Sequence, residues 1–176
     1  EGVAPLFREH CAKCHGESGD GSGPSAKELD PRPRSFLDAA DRGGMTPHRA
    51  FMAITSGVPG TAMASFEDAL APEQRWALAF YALSLRHEGA GVPADLRRIS
   101  FSLDDLATST DERLAAMAEQ AGAGARSGEV VAYWRSAAAV EGAARSPFEP
   151  IRRELRAAVS GEAEEATLAV DRAREA

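Results

Sequence analysis

The sequence predicts an all-α protein, and three observations carry that expectation. Apolar residues recur at helical spacing in several segments. Nothing alternates with a strand's period of two over a useful length. The second half is written mainly in Ala, Arg, Glu and Leu, a helix-forming vocabulary.

Taken in order, Leu6 and Phe7 lead a short first helix into the pair Cys11 and Cys14. Residues 16–33 are dense in Gly, Pro, Ser and Asp and read as loop. Thr46-Pro47 is a cap residue followed by Pro at the first helical position. Phe51 and Ile54 give that helix an apolar face, and Gly57 suits its stop. Pro72 opens the clearest helix. Trp76, Phe80 and Leu83 fall at i, i+4, i+7, with Leu78, Tyr81 and Leu85 on a second stripe. Past Gly89, Ser109-x-x-Glu112 has the spacing of a capping box, with Leu114, Met117 and Ala121 following. Residues 122–128 read as a break before a helix marked by Val130, Trp134 and Ala137. Ser146-Pro147-Phe148-Glu149 starts another, with Phe148, Ile151, Leu155 and Val159 down one face. Ser160-Gly161 separates it from a last helix reaching Ala176. These signals divide the chain into 1–88, a linker at 89–102, and a helical module at 103–176.

Composition narrows the function. With 176 residues and 44% hydrophobic content, a buried core is within reach. The net charge of −7, without a basic stripe, argues against nucleic acid as a partner. Only two cysteines occur, too close together to staple a large loop. The apolar stretch 76–85 is far shorter than the ~20 residues of a spanning helix. No charged start followed by an apolar run opens the chain, which predicts that Glu1 is a processed or cut edge.

Cys11-Ala12-Lys13-Cys14-His15 is the attachment pattern of c-type haem. Two thiols three residues apart on one turn can reach the two vinyl groups of one porphyrin and become thioethers. The imidazole immediately after them then serves as the proximal iron ligand. A zinc half-site would need a second Cys/His pair, and His48 and His87 are paired with nothing in sequence. A thioredoxin-type pair would want a βαβ setting. A sixth ligand is needed for electron shuttling, and Met63 is the first candidate. It lies in the glycine-rich run Gly57-Val58-Pro59-Gly60-Thr61-Ala62-Met63, where a loop can bring a thioether to iron. Met45, His48 and an empty site are the alternatives, and Met52 reads as packing.

Residues 1 to about 88 resemble a small class I cytochrome c domain. The matching features are Phe7, the Cys11–His15 pentapeptide, Gly16, Gly21-Ser22-Gly23-Pro24, the Gly60–Met63 loop and the helix at 76–85. The resemblance implies one covalent haem c on Cys11 and Cys14, and axial ligation by His15 and Met63. It implies that Phe7 meets Trp76, Phe80 or Tyr81 where the first and last helices cross. It also implies that the Pro24 carbonyl accepts the His15 N–H. Pro24, Phe36, Ile54 and Trp76 are the expected pocket residues. Val3 departs from the family's small residue, which predicts a shifted crossing.

A cytochrome domain followed by Asp105–Glu112 and then Ala/Arg/Glu-rich helices resembles the periplasmic front half of certain bacterial iron permeases that carry haem and permease in one chain. Residues 148–161 are similar to their helical pre-membrane segment, although the permease's membrane helices and iron motifs are absent. Together the resemblances imply a monohaem electron-transfer protein rather than a catalyst. It would lie in the periplasm or otherwise outside the cytoplasm, tethered to the inner membrane through a permease portion, with Fe(II) or a redox protein as partner. An electron-carrier subunit of a separate dehydrogenase, and a haem sensor with an open sixth site, are the rival readings. Other polar residues read as bland. Arg32, Arg34 and Arg42 sit on polar loops and could meet haem propionates. His10 and His87 read as surface residues, Glu162, Glu164 and Glu165 as a solvated helix start, and Tyr133 with Trp134 as packing.

Overall fold

The computed structural model describes residues 2–38, 44–87, 94–96 and 98–144, and all regular structure among them is helical. The expected helices beyond Ser146, the carboxylates Glu162, Glu164 and Glu165, Arg42, and the break at 89–93 lie outside the described residues.

Helix α1 (Val3–His10) buries Val3 and Phe7, one turn apart on a single face. The chain kinks at Cys11 and rewinds as the one-turn α2 (Ala12–His15), which Gly16 closes. Helix α3 (Pro47–Ser56) starts as its sequence predicts. The Thr46 hydroxyl accepts the Arg49 N–H at 3.2 Å, Pro47 occupies the first position, and Gly57 stops the helix at φ +70°. Helix α4 (Pro72–Ser84) also opens on its proline, and the Gln74 side chain accepts the Ala71 N–H at 2.8 Å.

Helix α4 is buried on two sides, which explains its two apolar stripes. Leu78, Ala82, Leu83 and Leu85 join Val3, Phe7, Ala50, Ile54 and Leu70 in a first core. Phe80, with Trp76 at the rim, joins Leu96, Ile99, Phe101, Leu106, Leu114, Val130 and Val131 in a second. The α1–α4 crossing is made by Phe7 against Tyr81, with ring centroids 5.3 Å apart. Val3 is buried in the first core.

The second core is built by α5 (Leu103–Thr108), α6 (Asp111–Ala118) and α7 (Ser127–Ala144). Leu96, Ile99 and Phe101, within the stretch expected as linker, are buried in it, and the Trp134 indole N–H donates to the Ile99 carbonyl at 2.9 Å. The capping box falls one helix earlier than its expected place. The Ser102 hydroxyl accepts the Asp105 N–H, and the Asp105 carboxylate accepts the Ser102 N–H, each at 3.0 Å. At α6 the cap is Thr110 rather than Ser109, because Ser109 terminates α5 and its carbonyl accepts a bond from Arg135. No helix among the described residues is long and apolar enough to cross a membrane.

Candidate functional site

The attachment pentapeptide is wound on a single turn. The N–H groups of Cys14 and His15 both donate to the Cys11 carbonyl, at 3.1 and 2.9 Å. The following loop folds back on this turn so closely that only glycine fits at position 23. A Cβ there would lie 2.5 Å from the Lys13 carbonyl oxygen and 2.6 Å from that of Ala12. The Gly23 N–H donates to the Cys14 carbonyl at 3.2 Å and the Ser25 N–H to that of Lys13 at 3.0 Å. Backbone on both sides therefore fixes the spacing of the two thiols.

His15 is held by one hydrogen bond and one ring. Its Nδ1 lies 3.0 Å from the Arg34 carbonyl oxygen. A carbonyl only accepts, so Nδ1 carries the proton and Nε2 carries the lone pair. Burial lowers the His15 pKa, with the Arg34 bond acting in the opposite sense, and the ring is neutral near pH 7. The Phe36 ring stacks on the imidazole, with centroids 4.8 Å apart and planes 17° from parallel.

The acceptor was expected to be Pro24, and the structure corrects this to Arg34. The reason is the route of the loop. Residues 23–25 turn back over the Lys13 and Cys14 carbonyls, leaving Pro24 beside Ala12 and Lys13 in an open outer groove. The Phe36 N–H donates to the Gly19 carbonyl at 2.7 Å, and this bond draws residues 34–36 across His15 instead.

The thiols fit haem better than a thiolate-bound metal. Burial, with the adjacent Cys14, pushes the Cys11 thiol up to about 12, so it stays neutral. A zinc site needs thiolates, whereas a thioether carries no charge and suits burial. Both cysteines are free and half-buried, and no group of three His, Cys, Asp or Glu converges to hold a metal ion among the described residues.

Met63 packs against the same core as Cys11, Phe36 and Ile54, in a loop fastened to itself and to α3. The Thr61 hydroxyl donates to the Val58 carbonyl at 2.8 Å and accepts the Met63 N–H at 3.1 Å. The Val58 N–H donates to the Met63 carbonyl, and the Phe66 N–H to that of Ile54, each at 3.0 Å. Met45 reaches this core as well, whereas Met52 is exposed. His48 is exposed, 6.1 Å from Trp76.

Two placements differ from expectation. Trp76, expected in the pocket, sits at the second core and stacks on Phe51. Trp76 and Phe80 face the helical module, whereas Leu83, expected on the same stripe, joins Leu78 and Leu85 in the thiols' core. His87, expected at the surface, is tucked against Asp111 at 3.2 Å. Spacing in the sequence carried no sign of this contact, because the partners come from separate helices. Arg32 and Arg34 are exposed. Arg75 was not anticipated. It is buried, its guanidinium lies 5.5 Å from the Phe51 ring centroid, and its Nε and Nη1 have no hydrogen-bond partner among the described residues.

A helical fold in which a Cys-x-x-Cys-His turn is buttressed by backbone, with a lone pair left on the histidine Nε2, defines a c-type cytochrome domain carrying one covalent haem c. Residues 2–81 match the family described as Cytochrome C oxidase, cbb3-type, subunit III, and form a cytochrome c domain of that type. Comparisons with curated proteins and with solved structures return no match. The chemistry of such a domain is electron transfer.

Proposed function

We propose that the protein is a monohaem electron carrier working outside the cytoplasm, with His15 and Met63 as the axial ligands. The observation that carries this reading is the His15 Nδ1–Arg34 bond, which leaves the Nε2 lone pair for iron. The haem supplies reversible one-electron chemistry when bound. Cys11 and Cys14 hold it by thioethers, the Arg34 carbonyl fixes the imidazole tautomer, and the Gly57–Met63 loop presents the thioether. A methionine ligand favours ferrous iron and raises the potential, as an electron acceptor needs. The anchored Met63 loop favours this reading over a sensor with an open sixth site.

The family's description names an oxidase subunit, which favours a place as the electron-carrying part of a larger redox complex, with a protein as donor. The narrower reading makes Fe(II) the donor and the chain the soluble part of an iron-uptake permease system. Its support is the order of parts in the sequence, and its pre-membrane segment lies outside the described residues. Division into a cytochrome at 1–88, a linker at 89–102 and a helical module at 103–176 remains our working proposal, with α4 shared between the two cores. The test is the near-infrared spectrum of the ferric protein. A weak sulfur-to-iron band that Met63→Ala removes and Met45→Ala leaves supports the assignment. Loss of the band in Met45→Ala instead overturns it. Anaerobic mixing of ferric protein with Fe(II) in a stopped-flow instrument decides the narrower reading. No haem reduction, at a measured potential that permits it, would leave only a protein donor.

A further inference from the structure

The second core ends in a buried ionic cluster that reaches the cytochrome side of the molecule. Asp111, at the start of α6, receives Arg135 Nε on one oxygen at 2.9 Å. Its other oxygen faces His87 Nε2 at 3.2 Å and Arg86 Nη1 at 3.6 Å. Arg135 is 1% exposed and donates further to the carbonyls of Leu106 at 2.5 Å and Ser109 at 2.8 Å. The Ser136 hydroxyl donates to the His87 carbonyl at 2.9 Å. The turn Leu85–His87 at the end of α4 is thus gripped by side chains from both α6 and α7.

Leu85 is the first residue of that turn, and it lies against the proximal side of the site. A Cβ built on Gly19 would stand 2.6 Å from Leu85 Cδ1 and 2.9 Å from Phe36 Cδ2, so the two side chains close on the same point. Both belong to the first core, and Phe36 is the ring stacked on His15.

We propose that the helical module positions the His15 imidazole: Asp111 fixes the Leu85–His87 turn, Leu85 backs Phe36, and Phe36 sets the plane of the imidazole. The proposal rests on the reading of His15 as an iron ligand. Interiors are close-packed, so a shift of Leu85 is passed to Phe36 rather than absorbed. Ligand orientation is tuned by the groups around the ligating histidine. The Arg34 bond fixes which nitrogen bears the proton, but one hydrogen bond leaves rotation about it free. The stacked ring supplies the missing restraint. The described part of the helical module therefore acts on the His15 imidazole through Leu85 and Phe36.

The test compares holoprotein variants by the g values and haem-methyl proton shifts of the ferric state. Phe36→Leu and Asp111→Asn should each move these signals. The double variant should move them no further than Phe36→Leu alone, because Asp111 acts through Phe36. Arg126→Gln, which breaks surface pairs with Asp95 and Glu129 in the same module, should leave them in place. If Asp111→Asn fails to fold, Leu85→Ala interrupts the same route and takes its place. Unchanged signals in the folded, haem-loaded Asp111→Asn or Leu85→Ala protein would overturn the proposal while leaving His15 as ligand. A wild-type spectrum without histidine-ligated haem would overturn both.

Discussion

The Trp76 indole lies flat on the Phe51 ring, with centroids 4.2 Å apart and planes 15° from parallel. Phe51 belongs to the rim of the first core and Trp76 to the rim of the second. The stack therefore joins α3 to the face of α4 that the helical module covers. Aromatic pairs of this kind add about 0.5–1.5 kcal/mol beyond the area they bury.

Sharing α4 should make the two cores unfold as one cooperative unit. Phe80 is 1% exposed and belongs to the second core, on a helix whose opposite face lines the first. Phe80→Ala should cost about 3–5 kcal/mol. Far-ultraviolet circular dichroism and haem absorbance should then follow the same single denaturant transition, shifted together. Two separated transitions would mean that the module unfolds independently.

Acid should loosen the α4–α6–α7 junction. Burial alone would raise the Asp111 carboxyl, but the His87 hydrogen bond and the charges of Arg135 and Arg86 outweigh it, holding the group well below the usual carboxylate range. A pKa lowered on folding contributes stability that is present above the unfolded value of about 3.9 and is lost as pH falls below it. The facing groups are Arg86, His87 and Arg135, with Glu112 acting on Arg135. Denaturation midpoints measured from pH 6 downward should fall more steeply below about pH 4 in the wild type than in Asp111→Asn. That variant should also lose about 3–5 kcal/mol at neutral pH, because it leaves Arg135 buried without its counter-charge. Equal slopes in the two proteins would contradict the assignment.

Gly23 should be essential for loading. Any side chain there meets the carbonyls of Ala12 and Lys13, inside the turn that spaces the thiols. Gly23→Ala should reduce the fraction of chains carrying haem after acid-acetone extraction, with Gly128→Ala as a control, since nothing lies within 4 Å of a Cβ at position 128 and its φ is not positive. Full loading of Gly23→Ala would show that the turn can yield.

The ligand loop gives a further expectation. Met63→Ala should lower the reduction potential by a substantial part of the roughly 0.8 V range that axial ligands command. Met52→Ala should leave it unchanged, because that side chain is exposed. Voltammetry of the two variants checks both statements.

Much of this was legible because its signals are local. The Cys11–His15 spacing, the Thr46-Pro47 start and Pro72 act within one or two turns, and each sits where the sequence places it. The partner of His15 was not legible. Whether Pro24 or Arg34 supplies the carbonyl depends on how the intervening loop crosses the turn, and that route is set by the Gly19–Phe36 bond. The two stripes of α4 were readable, but not how they divide between two cores: Leu83, on the Trp76 stripe, lines the first, while Trp76 and Phe80 meet the second. His87 gives no sign in sequence of meeting Asp111, because their contact joins helices far apart along the chain.

The central claim is one covalent haem on Cys11 and Cys14 that exchanges one electron. The most direct measurement is an anaerobic reductive titration of the intact protein, followed by haem absorbance and repeated on the Cys11→Ala, Cys14→Ala double variant. The account predicts one electron per chain in a single Nernstian step, absent from the double variant after acid-acetone extraction. More than one electron per chain, or a titratable haem that survives extraction in the double variant, would contradict it.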